Sequence, residues 1–507
     1  MSRLLASLRS HAAAQPHRPA LQDRSTALTY GDLCSEVERL ADKLRGRSPR
    51  CLAILADNSC TWVLADLAAL VAGIPSVPLP LFFSAAQMRH VIRAAGIDML
   101  LTDQPRTAAA LLAPKALKST PFAGNMHAIE WANEASIDGE PGPQLPTGTA
   151  KVTFTSGTTG EPKGVCLGLE ELDAVAESLR VASAANRDDR HLCLLPLSTL
   201  LENIAGVYTP LLTGATVCVP GLADVGLAGS SGLDVKQLVG SIGEWRASTF
   251  LTVPQTLRAI VAAAQAGAPL PPTLRYVAVG GAPVSPLLLA DAASQAIPVF
   301  EGFGLSECAS VVAVNSPGGN RPGSVGKPLP HVRVSFADDG EILIRGPRWR
   351  GYLGGPAPRE EEQLIATGDI GHLDSDGFLY LTGRKKNIFI TSFGRNVAPE
   401  WVERELVARA PIVQAAVFGE AQPFNVAVLW CGATPTTRAI DAAMQSANEA
   451  LPDYARIRRW LLAEEPFTPR NGMLTANGRL RRERILAAFS ESVEGVYSHA
   501  NLTEPDT

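Results

Sequence analysis

Apolar positions follow two rhythms along this chain. Short apolar runs at residues 51–55, 100–102 and 249–253 have the length and composition of buried strands. Between them apolar residues recur at helical spacing: Val37, Leu40, Ala41 and Leu44 share one face, and further helices are predicted from Trp62, over 85–95 behind the N-cap Ser84, over 169–182 and over 254–266. An apolar run at 192–197 and a second alternating unit at 215–279 continue the pattern. Strands alternating with helices predict parallel, doubly wound sheets. Residues 104–148 carry little pattern and are rich in Ala, Pro and Gly.

Beyond Pro317 the rhythm changes. Short strands at 332–336 and 341–344, and a hairpin signal at Asp374-Ser375-Asp376-Gly377, predict a small antiparallel β unit. After the charged turn Gly383-Arg384-Lys385-Lys386-Asn387, helices at 399–408 and 437–450 mix with strands at 415–418 and 426–430. The expected fold class is therefore α/β. A large N-terminal domain, residues 1–384, holds doubly wound sheets and the small β unit. An α+β C-terminal domain, residues 385–507, follows.

Composition narrows the function classes. A chain of 507 residues with 46% hydrophobic and 19% charged residues is that of an ordinary globular protein, too long for one core. A net charge of -5 without a long basic run argues against a nucleic-acid partner. Eight scattered cysteines with no C-x-x-C pair argue for a reducing, cytoplasmic setting. The most apolar stretch, 62–83, is interrupted by Asp66, Gly73, Pro75, Pro78 and Pro80. It reads as a buried helix and an extended segment, with no membrane span. Arg3, Arg9 and His11 lie among short apolar runs, and no signal peptide is read there.

The chemistry concentrates at residues 151–165, K-V-T-F-T-S-G-T-T-G-E-P-K-G-V. A short strand breaks into Thr155, Ser156, Gly157, Thr158, Thr159 and Gly160, then Lys163. Glycines let successive N–H groups point into one concavity, while hydroxyls and an ammonium add donors, which suits a polyphosphate. The spacing is not that of a Walker A loop.

This run resembles the phosphate loop T-S-G-T-T-G-x-P-K-G of the adenylate-forming superfamily, which includes acyl-CoA synthetases. Further segments resemble that family in the same order, from Leu28-Thr29-Tyr30 to Arg482. Gly280-Gly281-Ala282-Pro283 matches a segment that lies against adenine and the acyl group. Glu301-Gly302-Phe303-Gly304-Leu305-Ser306-Glu307 resembles x-G-Y-G-x-T-E. The resemblance implies that Phe303 packs on adenine, Ser306 meets the α-phosphate and Glu307 holds Mg²⁺. It also implies a ribose role for Asp369, a nucleotide contact for Arg384, a hinge at Lys386 with a mobile small domain, and a thiol path along Gly394. The implied substrates are ATP, a carboxylic acid and a thiol, CoA or a carrier protein, with Mg²⁺ as cofactor.

Besides Phe303 for tyrosine and Ser306 for threonine, two positions depart from the family. The C-terminal motif x-T-x-x-G-K-[IL]-x-R has Arg479 where the family has its bridging lysine, which keeps the charge and changes the geometry. After Leu195-Pro196-Leu197-Ser198, Thr199 stands where long-chain acyl-CoA synthetases have histidine, while Glu202 keeps their glutamate. An aspartate for an α-amine is not apparent, so the expected acid is fatty or otherwise apolar. A pseudoenzyme and a carrier-protein-loading ligase are the alternatives.

Overall fold

The computed structural model describes residues 2–112, 117–131, 145–155, 163–228, 232–346, 349–355, 364–432, 435–475 and 478–500. The chain packs as two units. The first comprises Met1–Gly281, Ala292–Val334 and Ile344–Ile365; the second comprises Ala282–Asp291, Ser335–Leu343 and Ala366–Thr507. The turn at 384–385 lies inside the second unit.

Among the described residues, two large sheets dominate the first unit. One has nine strands with a parallel centre running through Val299–Phe303, Tyr276–Val279, Thr249–Thr252, Arg190–Leu192 and Thr216–Cys218. The other has eight; Ser76–Pro78, Leu52–Leu55 and Met99–Thr102 run parallel in it, and the hairpin Thr149–Thr155/Lys163–Gly168 lies beside Ser76–Pro78. Every residue of Leu52–Leu55 and Met99–Thr102 is buried, as strands covered on both faces require. The predicted caps form: Ser84 caps Ala85–Ala94 in a capping box with Gln87, and Ser59 caps Cys60–Ala72.

Three regions differ from the sequence expectation. Residues 104–148, weak in pattern, hold the helix Pro105–Leu112 and an antiparallel pair, Leu117–Ala123 with Met126–Trp131, on the edge of the eight-stranded sheet. The run 192–197 is strand only to Leu192. Beyond it the Leu195 N–H donates to the Glu202 carboxylate at 3.0 Å and the Leu197 N–H to Asn58 Oδ1 at 2.8 Å, so side chains replace the ladder. Past residue 450, the strand Ile457–Leu462 and the helix Arg482–Ala500 complete the second unit. The predicted elements 399–408, 415–418, 426–430 and 437–450 appear as Pro399–Val407, Ile412–Phe418, Asn425–Cys431 and Thr437–Glu449. Their core gathers Val402, Leu406, Val417, Leu429, Ile440 and Met444. No helix among the described residues is long and apolar enough to cross a membrane.

Candidate active site

In the first unit the site begins at the hairpin Thr149–Thr155/Lys163–Gly168. Its register sets Thr155 opposite Lys163, which brings the lysine to the mouth of the predicted phosphate loop. Ser156, Gly157, Thr158, Thr159 and Gly160 lie outside the described residues, and Thr155 is described by its backbone alone. A third strand, Gly351–Tyr352, pairs along Lys163–Gly168 with Tyr352 opposite Val165. Gly164 fits beneath it because a Cβ there would sit 3.0 Å from both Leu353 and Phe154.

The second part of this site follows the strand Val299–Phe303. Its parallel neighbour Tyr276–Val279 ends in Gly280 and Gly281, the latter at φ +83, and Val279 registers with Glu301. Ligands of open α/β sheets bind at such carboxyl ends. Ala282 and Pro283 follow and are exposed. Gly304 admits no side chain, since a Cβ would overlap the Ser310 carbonyl. Ser306 and Glu307 sit on a single 3₁₀ turn, Ser306–Cys308, which the left-handed residue Ala309 ends. Phe303 is buried, and the Glu301 carboxylate accepts the Gly323 N–H at 2.9 Å.

Glu307 accepts a hydrogen bond from the Tyr352 hydroxyl at 2.7 Å, and Lys163 Nζ stands 5.9 Å from the centre of the same ring. The structure thus joins two sequence-predicted residues through one that sequence reasoning missed. Gly351-Tyr352 carries no local signal beyond a glycine before an aromatic. Glu307 is half-buried and its charge is not cancelled by a bonded cation in the contacts described, so it offers the hard oxygen a divalent cation such as Mg²⁺ takes.

In the second unit, the antiparallel pair Leu364–Leu373/Leu379–Arg384 sets Asp369 opposite Arg384, and the two form an ion pair at 2.6 Å. Asp369 is buried. Burial pushes its carboxyl up to about 6, opposed by the charges of Arg384 and then Arg479. The turn beyond is anchored by Lys385, which pairs with Asp339 at 2.6 Å and Glu341 at 2.8 Å. Lys386 stands next to it, and burial with the nearby charges of Arg384 and Arg479 lowers its ammonium pKa. Gly394, at φ +70, lies at the tip of the hairpin Phe389–Ile390/Asn396–Val397.

The C-terminal motif is a tight turn. The Thr475 N–H donates to the Arg479 carbonyl at 2.7 Å, and the Arg479 N–H to Thr475 Oγ1 at 3.1 Å. This turn leaves the Arg479 side chain exposed. Three residues on, Arg482 does the opposite. It makes two hydrogen bonds to the buried Glu403, one of them at 2.6 Å, and lies 3.4 Å from Glu400. The sequence marked Arg482 as part of the motif without assigning it this anchoring role.

The first unit also holds a buried polar network. Lys151 Nζ meets Asp66 at 2.6 Å, Asn203 at 2.5 Å and the Tyr208 hydroxyl at 3.0 Å. Asn203 and Tyr208 belong to a π-helix, Glu202–Tyr208, a form often found near functional sites. Glu202, His191 and Cys193 place ligand atoms within 4.8 Å of one another. These groups are engaged internally: His191 contacts Glu202 at 3.2 Å and Thr249 at 2.9 Å, and the other Glu202 oxygen takes the Leu195 N–H. Thr199 turns its hydroxyl onto the Pro196 carbonyl at 2.7 Å.

The α/β fold, with a carboxylate near a sheet's carboxyl end in the first unit and an Asp–Arg ion pair in the second, is what an adenylate-forming enzyme would present. The profile of the AMP-binding enzyme family matches residues 8–353, and that of the AMP-binding enzyme C-terminal domain matches 386–501. The chain belongs to this family and is an AMP-forming acid–thiol ligase. Among curated proteins it is similar to a long-chain-fatty-acid–CoA ligase of Mycobacterium bovis, at 27% identity over 88% of each chain. It is also similar to 2-succinylbenzoate–CoA ligase of Bacillus subtilis, at 26% identity over 81% of this chain and 84% of the other. The fold matches the Bacillus subtilis O-succinylbenzoate coenzyme A synthetase in complex with ATP and magnesium ion, with a TM-score of 0.73 and 23% identity over 94% of this chain and 98% of that one.

Proposed function

We propose that this enzyme activates a fatty or other apolar carboxylic acid with ATP and passes the acyl group to CoA in the cytoplasm. In the first step the carboxylate oxygen attacks the α-phosphorus, pyrophosphate leaves and an acyl-AMP mixed anhydride forms. In the second a thiolate attacks the acyl carbon and AMP leaves. The observation that carries the reading is the Lys163–Tyr352–Glu307 arrangement, a cation and a carboxylate set beside the loop mouth.

Each residue has a role in that scheme. Thr155 to Gly160 and Lys163 would cradle the phosphates, with Ser306 at the α-phosphate. Gly281, Ala282, Pro283, Glu301, Gly302 and Phe303 would border the adenine. Glu307 would hold Mg²⁺, which neutralises phosphate charge when bound. Asp369 would accept from the ribose hydroxyls, with Arg384 fixing its orientation. Arg479 would bridge carboxylate and α-phosphate. Residues 1–384 and 385–507 would be the functional domains, with Lys386 as hinge and Gly394 along the thiol's path; Lys386→Pro should then let acyl-AMP accumulate without thioester.

A second reading, an acid with a further anionic group, rests on Arg258. This residue lies on the helix Pro254–Gln265, which leaves the carboxyl end of the strand Thr249–Thr252. It is half-buried, burial lowers its pKa, and no hydrogen bond or ion pair holds it among the described residues. Pyrophosphate release with a panel of fatty, aryl, dicarboxylic and amino acids separates the readings. Fatty or aryl acids should give the fastest release, with the thioester found on CoA. Fastest release with a dicarboxylic acid, lost in Arg258→Met, would favour the second reading. Preference for an amino acid, or no release with any acid, would contradict both, and thioester found only on a carrier protein would reassign the acceptor.

A further inference from the structure

Tyr352 meets both proposed functional groups of the first unit. Its hydroxyl donates to Glu307 at 2.7 Å, and its ring faces Lys163 Nζ at 5.9 Å. We propose that Tyr352 is a positioning residue, which aims the Glu307 carboxylate at the nucleotide's divalent cation and steadies Lys163 at the loop mouth. The proposal rests on the reading of Glu307 as a metal ligand given above.

Backbone pairing, not the side chain, fixes where Tyr352 stands. Tyr352 registers opposite Val165, the Leu353 N–H donates to the Gly164 carbonyl at 2.8 Å, and the ring packs edge-on against Trp349 at 4.8 Å. The hydroxyl can therefore be removed without moving the strand. A carboxylate offers about four lone-pair directions. Tyr352 occupies one on Oε1 and sets the plane of the group, so that the remaining directions are presented in one orientation. Partners of this kind, hydrogen-bonded to a metal-ligating group, typically contribute a factor of about 10–100 to metal affinity. The Lys163 contact is a cation–π approach at an exposed site, where about 0.5–1 kcal/mol corresponds to a factor of about two to five in ligand affinity.

One tyrosine thus carries two separable contributions, which Phe and Leu divide. Tyr352→Phe keeps the ring and loses the hydroxyl; Tyr352→Leu loses both. The experiment titrates Mn²⁺ into enzyme with a non-hydrolysable ATP analogue, followed by electron paramagnetic resonance, beside analogue binding in chelator and thermal melting of each variant. Tyr352→Phe should weaken Mn²⁺ binding about 10-fold or more, leave metal-free analogue binding within about twofold, and melt as the parent does. Tyr352→Leu should show the same Mn²⁺ loss and a further weakening of about two- to fivefold in metal-free binding. An unchanged Mn²⁺ isotherm in Tyr352→Phe would overturn the proposal, and so would equal losses with and without metal. Glu307→Gln is the control for the underlying reading. If it leaves Mn²⁺ affinity intact, the metal role of Glu307 fails and the Tyr352 role with it. If Glu307→Gln weakens Mn²⁺ and Tyr352→Phe does not, the Tyr352 role alone fails.

Discussion

Two lysines share one hairpin and lead opposite lives. Lys151 on the strand Thr149–Thr155 is fully buried, ion-paired with Asp66 and hydrogen-bonded to Asn203 and Tyr208. Lys163 opens the partner strand, is exposed, and faces an aromatic ring. Burial lowers the Lys151 pKa, opposed by the charge of Asp66 and its hydrogen bond. Every donor of such a group is committed to the fold. Lys163 stands in reach of solvent, where a ligand could meet it. Residue type does not separate these two charges; access to water does.

The largest expected effect breaks the buried side of the comparison. Lys151→Ala leaves Asp66 buried without its counter-ion and should cost about 3–5 kcal/mol of unfolding free energy in denaturant titrations. Replacing both partners, Lys151→Met with Asp66→Leu, should cost less than Lys151→Met alone. Additive losses would show that the pair is not coupled.

The same contrast recurs three residues apart in the C-terminal motif, where Arg482 is locked on Glu403 and Arg479 is exposed. Arg479→Ala should slow acyl-adenylate formation at least about 10-fold, since a charge-assisted contact of about 1.5–3 kcal/mol is lost. Thioester formation from supplied acyl-adenylate should continue, and Arg479→Lys should retain or raise the first rate. Adenylation indifferent to both substitutions would leave Arg479 a solvated cation.

Much of this architecture was legible in the sequence. Alternating runs gave the parallel strands, because residues buried on both faces must be apolar throughout. The motifs named Lys163, Glu307, Asp369 and Arg384, because backbone-driven chemistry needs glycines and charges at fixed spacing. What stayed hidden depends on contacts between distant segments. Tyr352 meets Glu307 across 45 positions and Lys151 meets Asp66 across 85, and no local pattern encodes either. The helix Arg482–Ala500 was not read from the sequence. Ile485, Val493 and Tyr497 form its buried stripe, but the charges at its start, Arg482, Glu483 and Arg484, obscure the period.

A smaller effect tests the Asp369–Arg384 pair of the second unit. The Asp369 carboxyl stands at about 6, above its ordinary value of 3.8, so the folded protein binds more protons than the unfolded chain between those values. Stability from this group is therefore fully present below pH 3.8 and is lost as pH rises through 6. Asp369→Asn removes that dependence. Its melting temperature should exceed the parent's by a margin that grows between pH 4 and 6, while its ATP affinity falls. A margin that shrinks with rising pH would show that Arg384 stabilises the ionised form more than burial opposes it.

Lys163 is proposed to serve the nucleotide, whereas Lys151 holds the fold together. Mg-ATP affinity of Lys163→Ala, measured by calorimetry beside its melting temperature, tests it most directly. Binding should weaken at least about 10-fold, from a lost charge-assisted phosphate contact of about 1.5–3 kcal/mol, with melting unchanged. Parent-like affinity, or a loss that merely follows a lowered melting temperature, would contradict it.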